Sequence, residues 1–164
     1  MREHLFLDTS ALMRGGESLL PGYDQIRPGC VVVLSGMVLR ELDRHKNGCQ
    51  AEDSHFAREA ARQIEELQAE SECTGASTWK LSGCSPLELD LSSWRREVGD
   101  DADTAIIKLA SEFAERHKSD DRAMLVSRAR ILWIRAMAAG LATLDPDEPK
   151  EVSVPFEPTM VVAV

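Results

Sequence analysis

The stretch His4-Leu5-Phe6-Leu7-Asp8-Thr9-Ser10-Ala11-Leu12 decides how this chain is read. Residues 4–8 form a short apolar strand that stops at a carboxylate. Two small hydroxyl residues follow, and then the apolar pattern resumes as a short helix begins at residue 9. In an open parallel α/β sheet, ligands bind beyond the carboxyl ends of the strands. An acid on the last residue of a first strand therefore stands where chemistry takes place. Asp, Ser and Thr also favour helix N-caps, so Asp8 alone reads equally well as a cap. The choice turns on whether further acids arrive at the ends of later strands.

The rest of the chain supplies those strands. Cys30-Val31-Val32-Val33-Leu34 is a continuous apolar run between Pro28-Gly29 and Ser35-Gly36. Unbroken apolarity suits a strand buried on both faces. Ser35 then caps a helix over 37–45, with Glu41 at the edge of the apolar face made by Val38, Leu39 and Leu42. After a polar loop, Asp53 or Ser54 caps a helix that runs to about residue 70, along a stripe of Phe56, Ala60, Ile64 and Leu67. Residues 78–81 and 87–91 alternate as strands do, around a turn at 82–86. Residues 99–103 open a helix whose buried stripe is Ile106, Leu109, Ala110 and Phe113. A strand over 123–127, a helix over 131–140 ended by Gly140 and a short strand over 141–144 complete the pattern. The segment 14–27 reads as loop-rich with room for a short helix, and residues 160–164 as an edge strand.

Alternation of strands and helices predicts an α/β fold with a parallel sheet. The expected architecture is three-layer α/β/α with a four- to five-stranded, mainly parallel sheet. One domain spans 1–145 and a proline-marked tail spans 146–164.

Composition narrows the class. The 164 residues are 43% hydrophobic and 29% charged, as in a globular domain with its own core. No apolar run approaches the roughly 18 residues of a membrane span. The N-terminus lacks a basic region followed by an apolar core, so a cytoplasmic chain without membrane association is expected. Cys30, Cys49, Cys73 and Cys84 include no C-x-x-C pair, and reduced thiols are expected. A net charge of −9 argues against a broad phosphate-neutralising surface. The charge is segregated, however. Arg122, Arg128, Arg130 and Arg135 share a segment without acids, and Asp145, Asp147, Glu148, Glu151 and Glu157 follow it. The Arg128, Arg130 and Arg135 group either solvates a helix or contacts phosphates. Arg58 is a solvated helix charge or lines an RNA path. His45 and His55 read as surface residues, and Trp79, Trp94 and Trp133 as packing residues.

The acids recur where the first one pointed. Asp8 ends strand one, Glu41 lies in the helix after strand two, and Asp100, Asp101 and Asp103 open the helix before the strand at 123–127. In one parallel sheet these places converge at the carboxyl edge. Carboxylates sharing a pocket repel each other, which raised pKa values or a bound cation relieve. Mg²⁺ and Mn²⁺ suit oxygen ligands without His or Cys, and they serve phosphoryl chemistry. Asp101 reads best as an N-cap. Asp103, one turn before Ile106, faces the buried side.

Residues 5–12 (LFLDTSAL), 31–46 (VVVLSGMVLRELDRHK), 103–110 (DTAIIKLA) and 124–140 together resemble the successive motifs of the PIN-domain nucleases. The segment 38–67 looks most like the PIN domains that precede PhoH-type ATPases in some bacterial proteins, although the sequence holds no G-x-x-x-x-G-K-[ST] loop. The resemblance implies a Mg²⁺- or Mn²⁺-dependent endoribonuclease acting on single-stranded RNA, with products bearing a 5′-phosphate and a 3′-hydroxyl. Asp8, Glu41 and Asp103 match the first three acidic positions. Asp8 and Asp103 are the implied metal ligands, with Asp100 as an additional one. Ser10 and Ser127 match the supporting hydroxyls. The family carries an Asp two residues after the second hydroxyl, where this chain has Ala129. That departure leaves open a non-catalytic module that binds RNA or protein. A partner protein such as an antitoxin, and a homodimer, are also left open. An aspartyl-phosphate domain fits less well, because Ser10 stands where a phosphatase of that type has a second Asp.

Overall fold

The structure, a computed structural model, describes residues 2–13, 28–70, 72–73, 78–80, 87–90, 101–117, 121–147 and 151–152. The segments 14–27 and 160–164 and residue Asp100 lie outside them, so the short helix, the C-terminal edge strand and the additional acid expected there do too.

The strands are β1 (Arg2–Leu7), β2 (Val31–Ser35), β3 (Glu72–Cys73), β4 (Thr78–Lys80), β5 (Leu87–Asp90), β6 (Asp121–Val126), β7 (Ala142–Leu144) and β8 (Glu151–Val152). The helices are α1 (Thr9–Met13), α2 (Gly36–Lys46), α3 (Ala51–Glu70), α4 (Ala102–Arg116) and α5 (Arg130–Ala138). The sheet order is β3-β4-β5-β2-β1-β6-β7-β8. The five inner strands β5, β2, β1, β6 and β7 run parallel, and β3, β4 and β8 extend the edges antiparallel. The expected mainly parallel α/β/α fold is therefore present. β4 and β5, the two strands read from the alternation of 78–81 and 87–91, pair antiparallel with Thr78 opposite Glu88, and the turn expected at 82–86 lies outside the described residues.

β1 lies at the centre, pairing Leu5 with both Val32 and Met124. Central strands covered on both faces need apolar side chains in both directions, which explains the unbroken runs. Leu5, Leu7, Leu34, Met124 and Leu125 are fully buried, and Ile106 and Leu132 reach them from α4 and α5. Helix starts follow their caps. Ser35 Oγ accepts from the Val38 N–H at 3.3 Å, and Asp101 Oδ1 accepts from the Thr104 N–H at 2.6 Å. The start expected at Asp53 or Ser54 is corrected. α3 begins at Ala51, because the Ser54 hydroxyl turns back to donate to the Lys46 carbonyl at 2.8 Å instead of capping. Gly140 ends α5 at φ +78°, a left-handed turn that glycine adopts without strain. Trp133 is buried and donates its indole N–H to the Ser127 carbonyl at 2.8 Å. Cys30 and Cys49 carry reduced thiols. Among the described residues no helix is long and apolar enough to cross a membrane.

His4 is the one charge-capable side chain on the central strand's buried length. It packs on Phe113 at 4.4 Å, and its Nδ1 has no hydrogen-bond partner among the described residues. Burial holds the imidazole below its ordinary pKa of 6.5, against the opposing pull of the Asp121 carboxylate. A depressed folded-state pKa means the unfolded chain takes up the proton first. Stability is then lost as the pH falls below about 6.5. His4→Phe keeps the ring packing and removes the proton site. Thermal melts of this variant should lose less stability on acidification than the wild type, and an unchanged acid-side loss would assign that loss elsewhere.

Candidate active site

Asp8 leaves the sheet immediately after β1, with its N–H donating to the Val126 carbonyl of β6 at 3.1 Å. The residue is only 6% exposed. Oδ1 accepts the Ala11 N–H at 2.8 Å, so Asp8 does cap α1. It also faces a cavity, so both readings of the residue apply at once. Ser10 Oγ lies 2.8 and 2.9 Å from the two carboxylate oxygens, and Ser127 Oγ donates to Oδ2 at 2.6 Å. Burial pushes the Asp8 carboxyl above the ordinary range, and the Asp103 charge adds to that push. The hydrogen bonds from Ser127, Ala11 and Ser10 pull it back. The two serines are thus placed to keep a buried carboxylate ionised.

The cavity holds about 380 Å³ and is lined by Asp8, Thr9, Ser10, Met13, Glu41, His45, Asp53, Asp103, Arg128 and Ala129. The structure therefore brings Asp8, Glu41, Asp103, Ser10, Arg128 and Ala129 to one place. Ser127 joins through Asp8. Glu41 reaches it from α2 and accepts a hydrogen bond from the Thr9 hydroxyl, which ties α1 to α2. Asp103 reaches it from the first turn of α4. Burial raises the Asp103 carboxyl, as do the charges of Asp101 and Glu41, against the opposing Arg135 guanidinium. Arg135 lies 3.7 Å from Asp103 and 3.9 Å from Asp101 and donates to Thr104 at 2.6 Å, so its charge is spent on the start of α4.

Arg58 and Arg130 are not among the lining residues. Arg58 is exposed on α3 with its Nη1 3.5 Å from the Lys46 carbonyl. Arg130 stacks on the Trp133 ring at 4.4 Å and faces Asp145 at 3.5 Å. Sequence reasoning passed over His45, read as a surface residue, and Asp53, read as a cap. Both line the cavity. His45 was within reach, because it lies one helical turn after Glu41 on the same face. Asp53 had no such signal, since only the packing of α3 turns it inward.

The donor set suits a hard cation. Oxygen donors line one cavity, and negative charge accumulates on the buried Asp8 and the half-exposed Asp103, which a cation would relieve. Among the described residues no three His, Cys, Asp or Glu side chains stand close enough together to form a ready metal cluster. Mg²⁺ needs no such cluster, because it is commonly held by one or two carboxylates with water completing its shell.

The PIN domain family model matches residues 5–147. No curated protein matches the chain. Among solved structures, a domain of a functionally unknown protein from Methanocaldococcus jannaschii superposes with a TM-score of 0.59 at 18% identity, covering 92% of this chain and 95% of that one. At that identity the likeness supports the fold alone. The family match spans most of the chain, from the first strand past the last residue of the cavity, and the chain belongs to the PIN-domain family.

Proposed function

We propose that the protein is a metal-dependent endoribonuclease that hydrolyses phosphodiester bonds in single-stranded RNA in the cytoplasm. PIN domains are generally nucleases and typically use divalent metals. The observation that carries the reading is the meeting of Asp8, Glu41 and Asp103 on one cavity at the carboxyl edge of a parallel sheet. The closer kinship proposed is with PIN domains that precede PhoH-type ATPases, on the resemblance of residues 38–67.

Asp8 and Asp103 would hold the Mg²⁺ or Mn²⁺, with Asp100 as a further ligand. When bound, the cation lowers the pKa of attacking water and neutralises charge on the phosphate. The chain's own residues do the rest. Ser10 and Ser127 fix the Asp8 carboxylate in one orientation and favour its charged form. Thr9 holds Glu41 in place, where its carboxylate orients the attacking water and accepts its proton. Arg128 gives the acidic cavity a positive wall against which a phosphodiester can sit.

A second reading keeps the fold and drops the catalysis. Ala129 lines the cavity where the family pattern has an acid, which favours an RNA- or protein-binding module. Cleavage of a labelled single-stranded oligoribonucleotide with Mn²⁺, beside EDTA and Asp8→Asn controls, separates the two. Metal-dependent products are expected from the wild type, with Asp8→Asn far slower. Cleavage by Asp8→Asn at the wild-type rate, or none in any condition, would overturn the nuclease reading.

A further inference from the structure

Arg128 lines the cavity with its guanidinium already engaged on every side. Nη1 donates to the carbonyls of Ser10 at 2.8 Å and Ala11 at 3.2 Å. The backbone N–H of Arg128 donates at 2.9 Å to Ser10 Oγ, the same hydroxyl that contacts Asp8. The remaining edge, Nε and Nη2, meets the two carboxylate oxygens of Asp147 at 2.7 and 2.8 Å. Two parallel N–H···O bonds to one anion are the fork an arginine makes with a carboxylate or a phosphate alike.

The two partners sit in different settings. The Arg128 side chain is 15% exposed and is anchored to carbonyls of α1, whereas that of Asp147 is 61% exposed. The cation is fixed by the fold, and its anion lies at the surface, where ion pairs are weak and exchangeable. Asp147 is also not alone. Its N–H donates to Asp145 at 2.9 Å, and Asp145 faces Arg130 at 3.5 Å. The stretch Asp145-Pro146-Asp147 thus lays two carboxylates on the two arginines that flank Ala129, as a nucleic-acid strand would lay two phosphates.

We propose that the Nε/Nη2 edge of Arg128 is the backbone-phosphate subsite of the cavity, and that Asp147 occupies it until a single-stranded RNA displaces it. The proposal rests on the reading of the cavity as an RNA site. It assigns the chain after β7 a role in that site. Asp147 competes with the substrate for Arg128 and reduces apparent affinity by the fraction of molecules in which the fork is closed.

The test measures binding separately from cleavage. A fluorescent oligouridylate is titrated in EDTA, at fixed salt, against the full chain. Asp147→Asn should tighten binding about fivefold or more. Glu115→Gln, which removes one exposed negative charge at the far end of α4, should change it little. The double variant Arg128→Lys, Asp147→Asn should lose the gain, because lysine cannot form the fork. A gain no larger than that of Glu115→Gln, or one that survives in the double variant, overturns the proposal. Should the double variant fail to fold, thermal shift with inorganic phosphate decides. Phosphate should raise the melting temperature of Asp147→Asn more than that of the wild type, and equal shifts overturn the subsite. The two readings fail separately. Metal-dependent cleavage without a binding gain removes the subsite and keeps the nuclease. A binding gain without cleavage keeps the subsite and removes the nuclease.

Discussion

Asp8→Asn should lower metal-dependent cleavage by about 10²–10³-fold, the scale of losing one group that supports charge in a transition state, while making the metal-free protein more stable. The two effects share a cause. Burial and the neighbouring Asp103 charge push the Asp8 carboxyl above its ordinary range. For an acid with a raised folded-state pKa, the native state holds its proton to higher pH than the unfolded chain does. Stability therefore falls as the pH rises through that interval, and at neutral pH the ionised carboxylate is a net cost. Asparagine removes the charge and keeps the shape. Its carbonyl can still accept the Ala11 N–H, and its amide can donate to the serine hydroxyls, whose protons rotate to suit. A divalent cation reverses the comparison. Binding to the native state alone stabilises the wild type by about 2.7 kcal/mol at a hundredfold excess over Kd. Asp8→Asn should forfeit most of that shift. Melts of both forms with and without Mn²⁺ check it. A variant less stable than the wild type in EDTA would show that the hydrogen bonds to the carboxylate outweigh the cost of its charge.

The elements that carry the site were legible because their signals are local. A strand buried on both faces leaves an unbroken apolar run, and β1, β2 and β6 all show one. Ser35 and Asp101 cap the helices they precede, since a side-chain oxygen at an N-cap needs only the next three residues to form its bond. What stayed hidden depends on how elements cross. Ser54 has the same local chemistry as Ser35, yet its hydroxyl prefers the end of α2, which lies close only after α3 has folded back. Asp53 turns inward for the same reason, whereas His45 shares the helix face of Glu41 and its spacing could have been read. The separation of basic and acidic segments was visible in the sequence. That Asp147 would return to Arg128 was not, because that pairing is set by the path of the chain leaving β7.

Ala129→Asp should raise the metal-dependent cleavage rate by about 10²-fold and also raise the melting temperature. Ala129 does two jobs poorly. It lines the cavity with no functional group, and it is the N-cap of α5, in extended geometry, with no side-chain hydrogen bond to the helix. Aspartate is among the best N-caps and alanine among the worst, a difference of about 0.5–2 kcal/mol. The N-terminal end of the helix dipole also favours a negative charge. Opposing this, a new carboxylate joins Asp8 and Asp103, both already harder to ionise than usual. Residue 129 is exposed, so that repulsion is screened by water and the cap prevails. Ala129→Asn isolates the capping term, since it caps without charge. In EDTA both variants should melt above the wild type, asparagine higher. With Mn²⁺ the aspartate form should overtake it, and only the aspartate form should cut faster. Equal initial rates for Ala, Asn and Asp at position 129, at matched Mn²⁺, would show that the cavity does not need an acid there and that Asp8, Glu41 and Asp103 suffice. An aspartate form that melts below the asparagine form even with Mn²⁺ would show that residue 129 caps the helix and takes no part in holding the cation.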